Sequence, residues 1–140
     1  MSKDQNIAAQ ERFGADVINA GSIDVIDDVV APDFVDNDPA PDQGPGVDGF
    51  KQFWTTMHSA FPDFRVEVDA MVADEDSVAI AYRATGTHQG DFVGFAATGS
   101  PIDIRGVQVT RFRDAMMVER WGSSDQLTLL QQIGAKSLPG

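Results

Sequence analysis

The chain has 140 residues, a formal net charge of −12 and no cysteine. This length suits a single domain over residues 1–140 with one core. So acidic a surface repels phosphate backbones, which argues against nucleic acid as a partner. The lack of cysteine excludes disulfides, thiolate nucleophiles and cysteine-bound metals. No segment is long and apolar enough to span a membrane, and the first residues lack the apolar core of a signal peptide, so a cytoplasmic location is expected.

The N-terminal part of the chain predicts three helices. Apolar residues recur at helical spacing over about residues 4–20 and again from Ser22 to Val30. A third helix follows the proline- and glycine-rich loop of residues 37–46 and ends before Pro62. It carries one aromatic stripe, made of Phe50, Phe53, Trp54, Met57 and Phe61. The stripe is either core or, in part, the wall of a ligand pocket.

After Pro62 the apolar period changes to two, which predicts strands. One β-hairpin is predicted over residues 64–84, and a second over residues 101–125 turns at Arg113-Asp114-Ala115. A short strand is also predicted at residues 33–36. Helices followed by a meander of about four long antiparallel strands predict an α+β fold, with the helices on one face of a curved sheet. Such a sheet covered by helices forms a cone whose open end can hold a small ligand.

Asp125 is the residue on which a catalytic prediction rests. Alternation along the last strand predicts that one face carries Met117, Glu119, Trp121, Ser123 and Asp125. A carboxylate beside a tryptophan in an apolar pocket would have a raised pKa and could act as an acid or a base. The alternative is a helix N-cap, because the Gln-Leu-Thr-Leu-Leu that follows resembles a helix start. The two roles are compatible, since a capping side chain can still face a pocket.

Charged residues alternate along the preceding strand at Asp103, Arg105, Arg111 and Arg113. They can form cross-strand ion pairs on a solvated face. Alternatively, one arginine reaches the pocket and orients a carboxylate or a substrate oxygen. If Asp103, Arg105 and Asp125 converge, the set could activate a water molecule between two acids.

The two histidines and Asn37 each have a structural and a functional interpretation. His88, between the glycines of Gly86-Thr-His-Gln-Gly90, is either an acid/base at the pocket mouth or a loop histidine bonded to the backbone. His58 is predicted to be a surface or packing residue. Asn37 is most simply a turn residue, although its amide could bind a ligand carbonyl. Two histidines cannot alone form a histidine-rich metal site, and no EF-hand or nucleotide-binding motif is present, so neither a metal nor an organic cofactor is predicted.

A set of short motifs occurs in an order that spans nearly the whole chain. The motifs are Phe34-Val-Asp-Asn-Asp-Pro39, Gly49-Phe-Lys-Gln-Phe-Trp54, Ala60-Phe-Pro-Asp63, Gly86-Thr-His-Gln-Gly90, Ala97-Thr-Gly99, Arg111-Phe-Arg-Asp114 and Val118-Glu-Arg-Trp-Gly-Ser-Ser-Asp125. Through this ordered set, the chain resembles the SnoaL-like polyketide cyclases, also called ester cyclases, of the NTF2-like superfamily. The set is specific for family and fold, and much less so for the reaction.

The resemblance implies a cone-shaped α+β barrel, with three N-terminal helices packed on a curved, mainly antiparallel sheet, and a homodimer formed through the outer sheet face. It also implies an intramolecular aldol condensation without metal or cofactor. In that reaction an aspartate matching Asp125 removes a proton alpha to a carbonyl, and neighbouring donors stabilise the enolate. The chain departs from the family pattern at Asn37 and Arg120, where the family often has histidine, and at Ala115, where glycine is common.

Three hypotheses follow. In the first, the chain is a cofactor-free cyclase or isomerase acting on a small apolar carbonyl compound, with Asp125 and His88 as catalytic residues. Its predicted substrate-binding residues are Asn37, Phe53, Trp54, Met57, Arg105, Arg111 and Trp121. In the second, Asp103, Arg105 and Asp125 activate water, as in related cone-shaped epoxide hydrolases. In the third, the chain is a non-catalytic dimer that binds a small molecule, and Asp125 serves only as a cap.

Overall fold

The structure is a computed structural model that describes residues 2–135. Its helical segments are α1 (Lys3–Arg12), a π-helical continuation (Phe13–Asn19), a 3-10 turn (Ile23–Val25), α2 (Ile26–Val29), α3 (Gly46–Ala60) and α4 (Gln126–Gln132). Its strands are β1 (Val30–Asp36), β2 (Arg65–Ala73), β3 (Ser77–Thr87), β4 (Pro101–Arg113) and β5 (Met116–Ser124). None of the helices within residues 2–135 is long and apolar enough to cross a membrane.

Local sequence explains the first helix. α1 begins with a capping box, in which the backbone N–H of Gln5 donates to Ser2 Oγ (3.1 Å) and the Gln5 side-chain oxygen accepts from the backbone N–H of Ser2 (3.2 Å). From Phe13 onward the helix continues as a π-helix, which is wider than an α-helix. Phe13, Val17 and Ile18 of this segment are buried in the core. The predicted helix over residues 4–20 therefore exists, but its second half is π-helical.

The strands form one curved sheet in the order β1-β5-β4-β3-β2. β2, β3, β4 and β5 pair antiparallel, and β1 lies parallel to β5. Within the described residues the sheet stays open, with β1 and β2 at its edges, and helices cover its concave face. The predicted α+β fold, with helices on one face of a curved and mainly antiparallel sheet, is confirmed.

A β-bulge in β5 decides which side chains face the core. Opposite Arg111 and Phe112 of β4, the partners on β5 are Glu119 and Met117, so Val118 is an extra residue in the pairing. An extra residue shifts the alternation of the strand by one position and thereby exchanges its two faces. Met117 lies in the core with none of its surface exposed.

The predicted common face of β5 is therefore wrong beyond Met117. After the bulge, Arg120 pairs with the fully buried Thr110, whereas Trp121 pairs with the exposed Val109. The concave face of β5 accordingly carries Arg120, Gly122 and Ser124. Glu119, Trp121 and Ser123 lie on the outer, convex face, and Asp125 follows immediately after the strand.

The core lies between the helices and the concave face of the sheet. Phe13 stacks on Phe50 of α3 with ring centroids 5.6 Å apart, and Phe34 of β1 packs against Phe50 at 4.8 Å. Ile80 and Ile104 cover the sheet side of this layer. This packing fixes α3 against the concave face of the sheet.

Candidate functional site

The concave face is apolar near the ends of the strands and polar in its middle. The polar side chains on it are Tyr82 of β3, Gln108 and Thr110 of β4, and Arg120 and Ser124 of β5. Val78 and Ile80, which are buried, alternate with Tyr82 on the same face. A small set of polar groups within an apolar surface is the usual composition of a small-molecule site.

Arg120 forms a buried ion pair with Asp36 at the end of β1. Its Nη1 lies 2.8 Å from Asp36 Oδ1, and the two side chains are only 16% and 4% exposed. The carboxylate also accepts hydrogen bonds from the backbone N–H of Asp38 (3.0 Å) and from Gln43 Nε2 (3.0 Å). Both carboxylate oxygens are thus occupied, and Asp36 holds the guanidinium of Arg120 in a fixed orientation.

A chain of hydrogen bonds continues from Arg120 across the sheet. Arg120 Nε donates to Gln108 Oε1 (3.2 Å), and Gln108 Nε2 donates to Thr110 Oγ1 (3.0 Å). The Asp38 backbone carbonyl accepts from Arg120 Nη1 at 3.4 Å. Because several partners restrain it, the arginine side chain cannot swing away from the concave face without breaking all of them.

Tyr82 lies beside this network. Burial raises the pKa of its hydroxyl, while the nearby charge of Arg120 and an interaction with Ser124 lower that pKa to a smaller extent. The ring lies across Gly106 of β4, where any Cβ would collide with the ring carbon and the hydroxyl. Glycine at this position therefore leaves room for the Tyr82 side chain.

The titration of Tyr82 can be measured directly, because it is the one tyrosine of the chain. In the folded protein the rise in tyrosinate ultraviolet absorbance should have its midpoint above the ordinary value of about 10. The Arg120→Met variant should move the midpoint higher still, because the arginine charge stabilises the phenolate. The urea-unfolded chain is the control. A folded-state midpoint equal to that of the unfolded chain would contradict the described environment.

Asp125 lies elsewhere, exposed at the start of α4. Its Oδ1 accepts from the backbone N–H of Thr128 (3.0 Å) and its Oδ2 from the Thr128 hydroxyl (2.6 Å). These bonds lower the pKa of Asp125, the hydroxyl contributing most. The expected apolar surroundings and raised pKa are therefore not found, because the bulge in β5 directs this end of the strand outward. The helix-cap interpretation is confirmed, and the acid/base role remains a prediction.

An open cavity of about 750 Å³ lies on the outer face next to Asp125. Its lining residues are Asp69, Arg83, Asp103, Arg105 and Asp125. Asp103, Arg105 and Asp125 are thus brought together, as the water-activation hypothesis requires. However, Asp103 is paired with Arg83, whose Nε donates to Asp103 Oδ1 at 2.7 Å, and this pairing lowers the pKa of Asp103. Arg105 is exposed rather than enclosed between the two aspartates.

Three of the predicted substrate-binding residues meet on the outer face around Glu119. Asn37 Nδ2 donates to Glu119 Oε2 (2.9 Å), and Arg111 Nη1 lies 3.2 Å from Glu119 Oε1. The Arg111 guanidinium lies over the Trp121 ring, 5.5 Å from its centroid. The backbone of the sheet separates these residues from Tyr82 and the rest of the concave face.

His88 is fully buried rather than at a pocket mouth. Its Nδ1 lies 2.9 Å from Thr98 Oγ1 and accepts from the Thr98 backbone N–H at 3.3 Å. In the neutral ring the proton is therefore on Nε2, which has no hydrogen-bond partner within residues 2–135. The ring packs against Phe61, with centroids 5.6 Å apart. Because β3 directs it inward while Asp125 faces out, the two predicted catalytic residues lie on opposite faces of the sheet.

The aromatic stripe of α3 is mostly core. Trp54 and Met57 are buried, while Phe53 is half-buried and packs edge-on against Trp54 with centroids 5.0 Å apart. The indole N–H of Trp54 is buried and lacks an acceptor among the described residues. His58 Nε2 lies 2.9 Å from the Val17 carbonyl oxygen, which fits the predicted packing role.

The structure therefore divides the predicted site residues among three places: the outer face, the α3 side of the core and the buried end of β3. The residues that sequence reasoning missed are Asp36, Tyr82, Gln108, Thr110 and Arg120. Tyr82 had a signal, because it stands in the apolar alternation of Val78 and Ile80. Arg120 had none, because its position on the concave face depends on the bulge.

Comparisons with known proteins place this chain in a family. The family model for SnoaL-like polyketide cyclase matches residues 8–133. A search of curated proteins found no match. Among solved structures, IdmH from Streptomyces antibioticus, a proposed polyketide cyclase, is 30% identical, with a TM-score of 0.80 over 94% of this chain and 99% of that one.

Two other solved structures are similar. AclR from Streptomyces galilaeus, a proposed hydroxylase, is 29% identical, with a TM-score of 0.84 over 99% of this chain and 87% of that one. TsrD from Streptomyces laurentii has a TM-score of 0.87 over 96% of this chain and 98% of that one, but at 21% identity it supports the fold alone. IdmH and AclR are named for different reactions although their folds are similar. Because the family model covers nearly the whole described chain, this protein belongs to the SnoaL-like polyketide cyclase family.

Proposed function

We propose that this chain is a cofactor-free, cyclase-like enzyme that closes a ring in a small, largely apolar carbonyl compound. A base removes a proton alpha to one carbonyl, the resulting carbanion attacks a second carbonyl of the same molecule, and the new alkoxide takes up a proton. One carbon–carbon bond forms, and the product is an isomer of the substrate. The observation that carries the proposal is the polar group of Tyr82, Gln108 and Arg120 within an apolar, helix-covered face.

Two carboxylates are candidates for the base. Asp125 is the candidate from the family resemblance. It is ionised at neutral pH, as a base must be, although its lowered pKa makes it a weaker base than an ordinary carboxylate. It can act only on a substrate that reaches the outer cavity. Asp36 is the carboxylate of the concave face, but both of its oxygens already accept hydrogen bonds. We keep Asp125 as the proposed base for a substrate in the outer cavity. Asp36 is the alternative base for a substrate held on the concave face by Tyr82 and Arg120, and because the sheet separates the two sites, the same experiment decides between them.

The proposal is tested by incubating the full chain with a panel of aromatic β-keto esters that carry a second ketone or an aldehyde. The expected result is a product of unchanged mass, or one lighter by a single water, with a new carbon–carbon bond. A product heavier by one water from an epoxide panel would instead favour the hydrolase alternative, for which the meeting of Asp103, Arg105 and Asp125 at the outer cavity is the supporting observation. Ligand binding without any turnover would favour the non-catalytic alternative.

We also propose that two copies of the chain associate through the outer face of the sheet. Supporting this, Val72, Val107, Val109 and Trp121 are 70%, 56%, 39% and 37% exposed on that face. An exposed apolar patch on a sheet is typical of an interface between proteins. Val109 and Trp121 form a cross-strand pair within this patch.

Val109→Glu should convert the dimer into a monomer, because it places a charge inside the apolar contact. Sedimentation at micromolar protein concentration measures the change, and Leu127→Glu, which alters an exposed leucine on α4, is the control. A wild-type chain that sediments as a monomer would refute the dimer.

A further inference from the structure

We infer that Tyr82 and Arg120 together form an oxygen-binding site on the concave face, which takes the carbonyl oxygen of a planar, conjugated substrate and holds the negative charge that develops on it. The chemical class of the ligand rests on the proposed function. Binding at the site can nevertheless be measured without any turnover, so the two ideas can fail separately.

Two glycines leave room for the two side chains on the concave face. A Cβ on Gly122 would collide with Arg120 Nη2, so the guanidinium extends along β5 over Gly122. A Cβ on Gly106 would collide with the Tyr82 hydroxyl, so that hydroxyl lies over Gly106 of β4. Gly106 pairs with Ser124, which is two residues beyond Gly122 on β5. The two donors therefore extend over neighbouring positions of the same sheet face.

Both groups keep donors for a ligand. Arg120 uses Nε for Gln108 and Nη1 for Asp36 and the Asp38 carbonyl, whereas its Nη2 has no acceptor within residues 2–135. Both residues are half-buried, and the Tyr82 hydroxyl interacts with Ser124. A guanidinium has five N–H donors, and the two on Nη2 are the ones available here.

The pair suits the delocalised charge of an enolate or phenolate oxygen better than the concentrated charge of a phosphate. Asp36 offsets the charge of Arg120 on the Nη1 side, so the site is not a strongly cationic pocket. Burial keeps the Tyr82 hydroxyl protonated at neutral pH, which makes it a hydrogen-bond donor. Donors that are already fixed in place stabilise a developing oxyanion without reorganising. A substrate held here lies on the same side of the sheet as Asp36, so this site goes with Asp36, the alternative base, and not with Asp125. When the alpha proton leaves to that base, the electron pair of the broken C–H bond moves onto the carbonyl oxygen, which Tyr82 and Arg120 hold.

The probe for the site is 4-nitrophenol, whose planar phenolate resembles an enolate and absorbs differently from the neutral phenol. With wild-type protein in excess, the ionisation of the probe should shift to lower pH, because the site prefers the phenolate. Tyr82→Phe and Arg120→Met should each weaken phenolate binding by about tenfold or more, the loss that follows from removing one hydrogen bond to a charged group. Arg113→Met, which removes an exposed arginine paired with Asp33, should bind as the wild type does.

Arg120→Met leaves the buried Asp36 without its cation and so destabilises the fold. Gly122→Ala is therefore a second variant, which tests the same side chain without removing its charge. The added methyl group should displace the end of the Arg120 side chain and weaken probe binding while both charges of the Arg120–Asp36 pair are kept, and circular dichroism checks that the variant is folded. The inference is overturned if the wild type does not bind the probe, or if all three concave-face variants bind it as the wild type does. Turnover that survives in Tyr82→Phe and Arg120→Met would also overturn it while leaving the proposed function standing. Probe binding that is lost as expected, in a chain that cyclises nothing, would support the site and count against the function.

Discussion

Asp125→Asn is expected to lower the turnover of a cyclising substrate by about 10²- to 10⁴-fold, the usual contribution of a general base. Asparagine has nearly the same shape and is itself a good N-cap, so α4 should stay folded and its hydrogen bond from the Thr128 backbone should persist. Asp91→Asn, a change at an exposed loop residue, is the control. Circular dichroism and thermal melting check that folding is unaffected.

The effect of pH separates a base from a simple cap. The Thr128 hydroxyl is the largest cause of the lowered pKa of Asp125, so Thr128→Val should raise that pKa towards the ordinary value. A base works only when it is deprotonated. The acid limb of the kcat/KM profile should therefore move to higher pH in Thr128→Val. If Asp125→Asn keeps wild-type turnover while Asp36→Asn loses it, the base is on the concave face and Asp125 is only a cap.

Asp36→Ala is expected to destabilise the fold by about 3–5 kcal/mol, because it leaves the Arg120 guanidinium buried without its partner. Asp33→Ala is a matched control on the same strand. Asp33 pairs with Arg113 at 2.9 Å, but both side chains are more than half exposed, at 64% and 58%. Losing such a surface pair costs about 0–1 kcal/mol.

Urea unfolding at neutral pH compares the free energies of unfolding of the two variants. Because Arg120 is buried and held by Asp36, we expect Asp36→Ala to lose clearly more of its free energy of unfolding than Asp33→Ala. Equal and small losses would mean that Asp36 does not hold Arg120 in place, and the oxygen-binding site would lose its structural basis. The result does not depend on any substrate, so it tests the geometry of the concave face independently of the chemistry.

The fold could be predicted because its signals are local. The stripe of α3 and the alternation in β3 and β4 each repeat over several turns or residue pairs, and helices followed by a meander leave few architectures. The turn at Asp114 and Ala115, whose φ angles are 54° and 61°, also falls where expected. These features depend on residues close together in sequence.

The site could not be predicted in the same way because it depends on one extra residue. Without the bulge at Val118, strict alternation would place Glu119 and Trp121 on the same side as Met117, as the sequence suggests. The bulge reverses this order, so Arg120 enters the concave face and Asp125 leaves it. The partners of Arg120 add a second difficulty, since Asp36 lies far from it in sequence and approaches only through the parallel pairing of β1 with β5.

Cofactor-free ring closure is tested most directly by NMR, which follows one keto ester in the presence of the full chain and a strong chelator. We expect the wild-type chain to convert the substrate into a cyclic isomer, or its dehydrated form, at a rate that the chelator does not change. A substrate that stays intact, or an ester that is only hydrolysed, would contradict it.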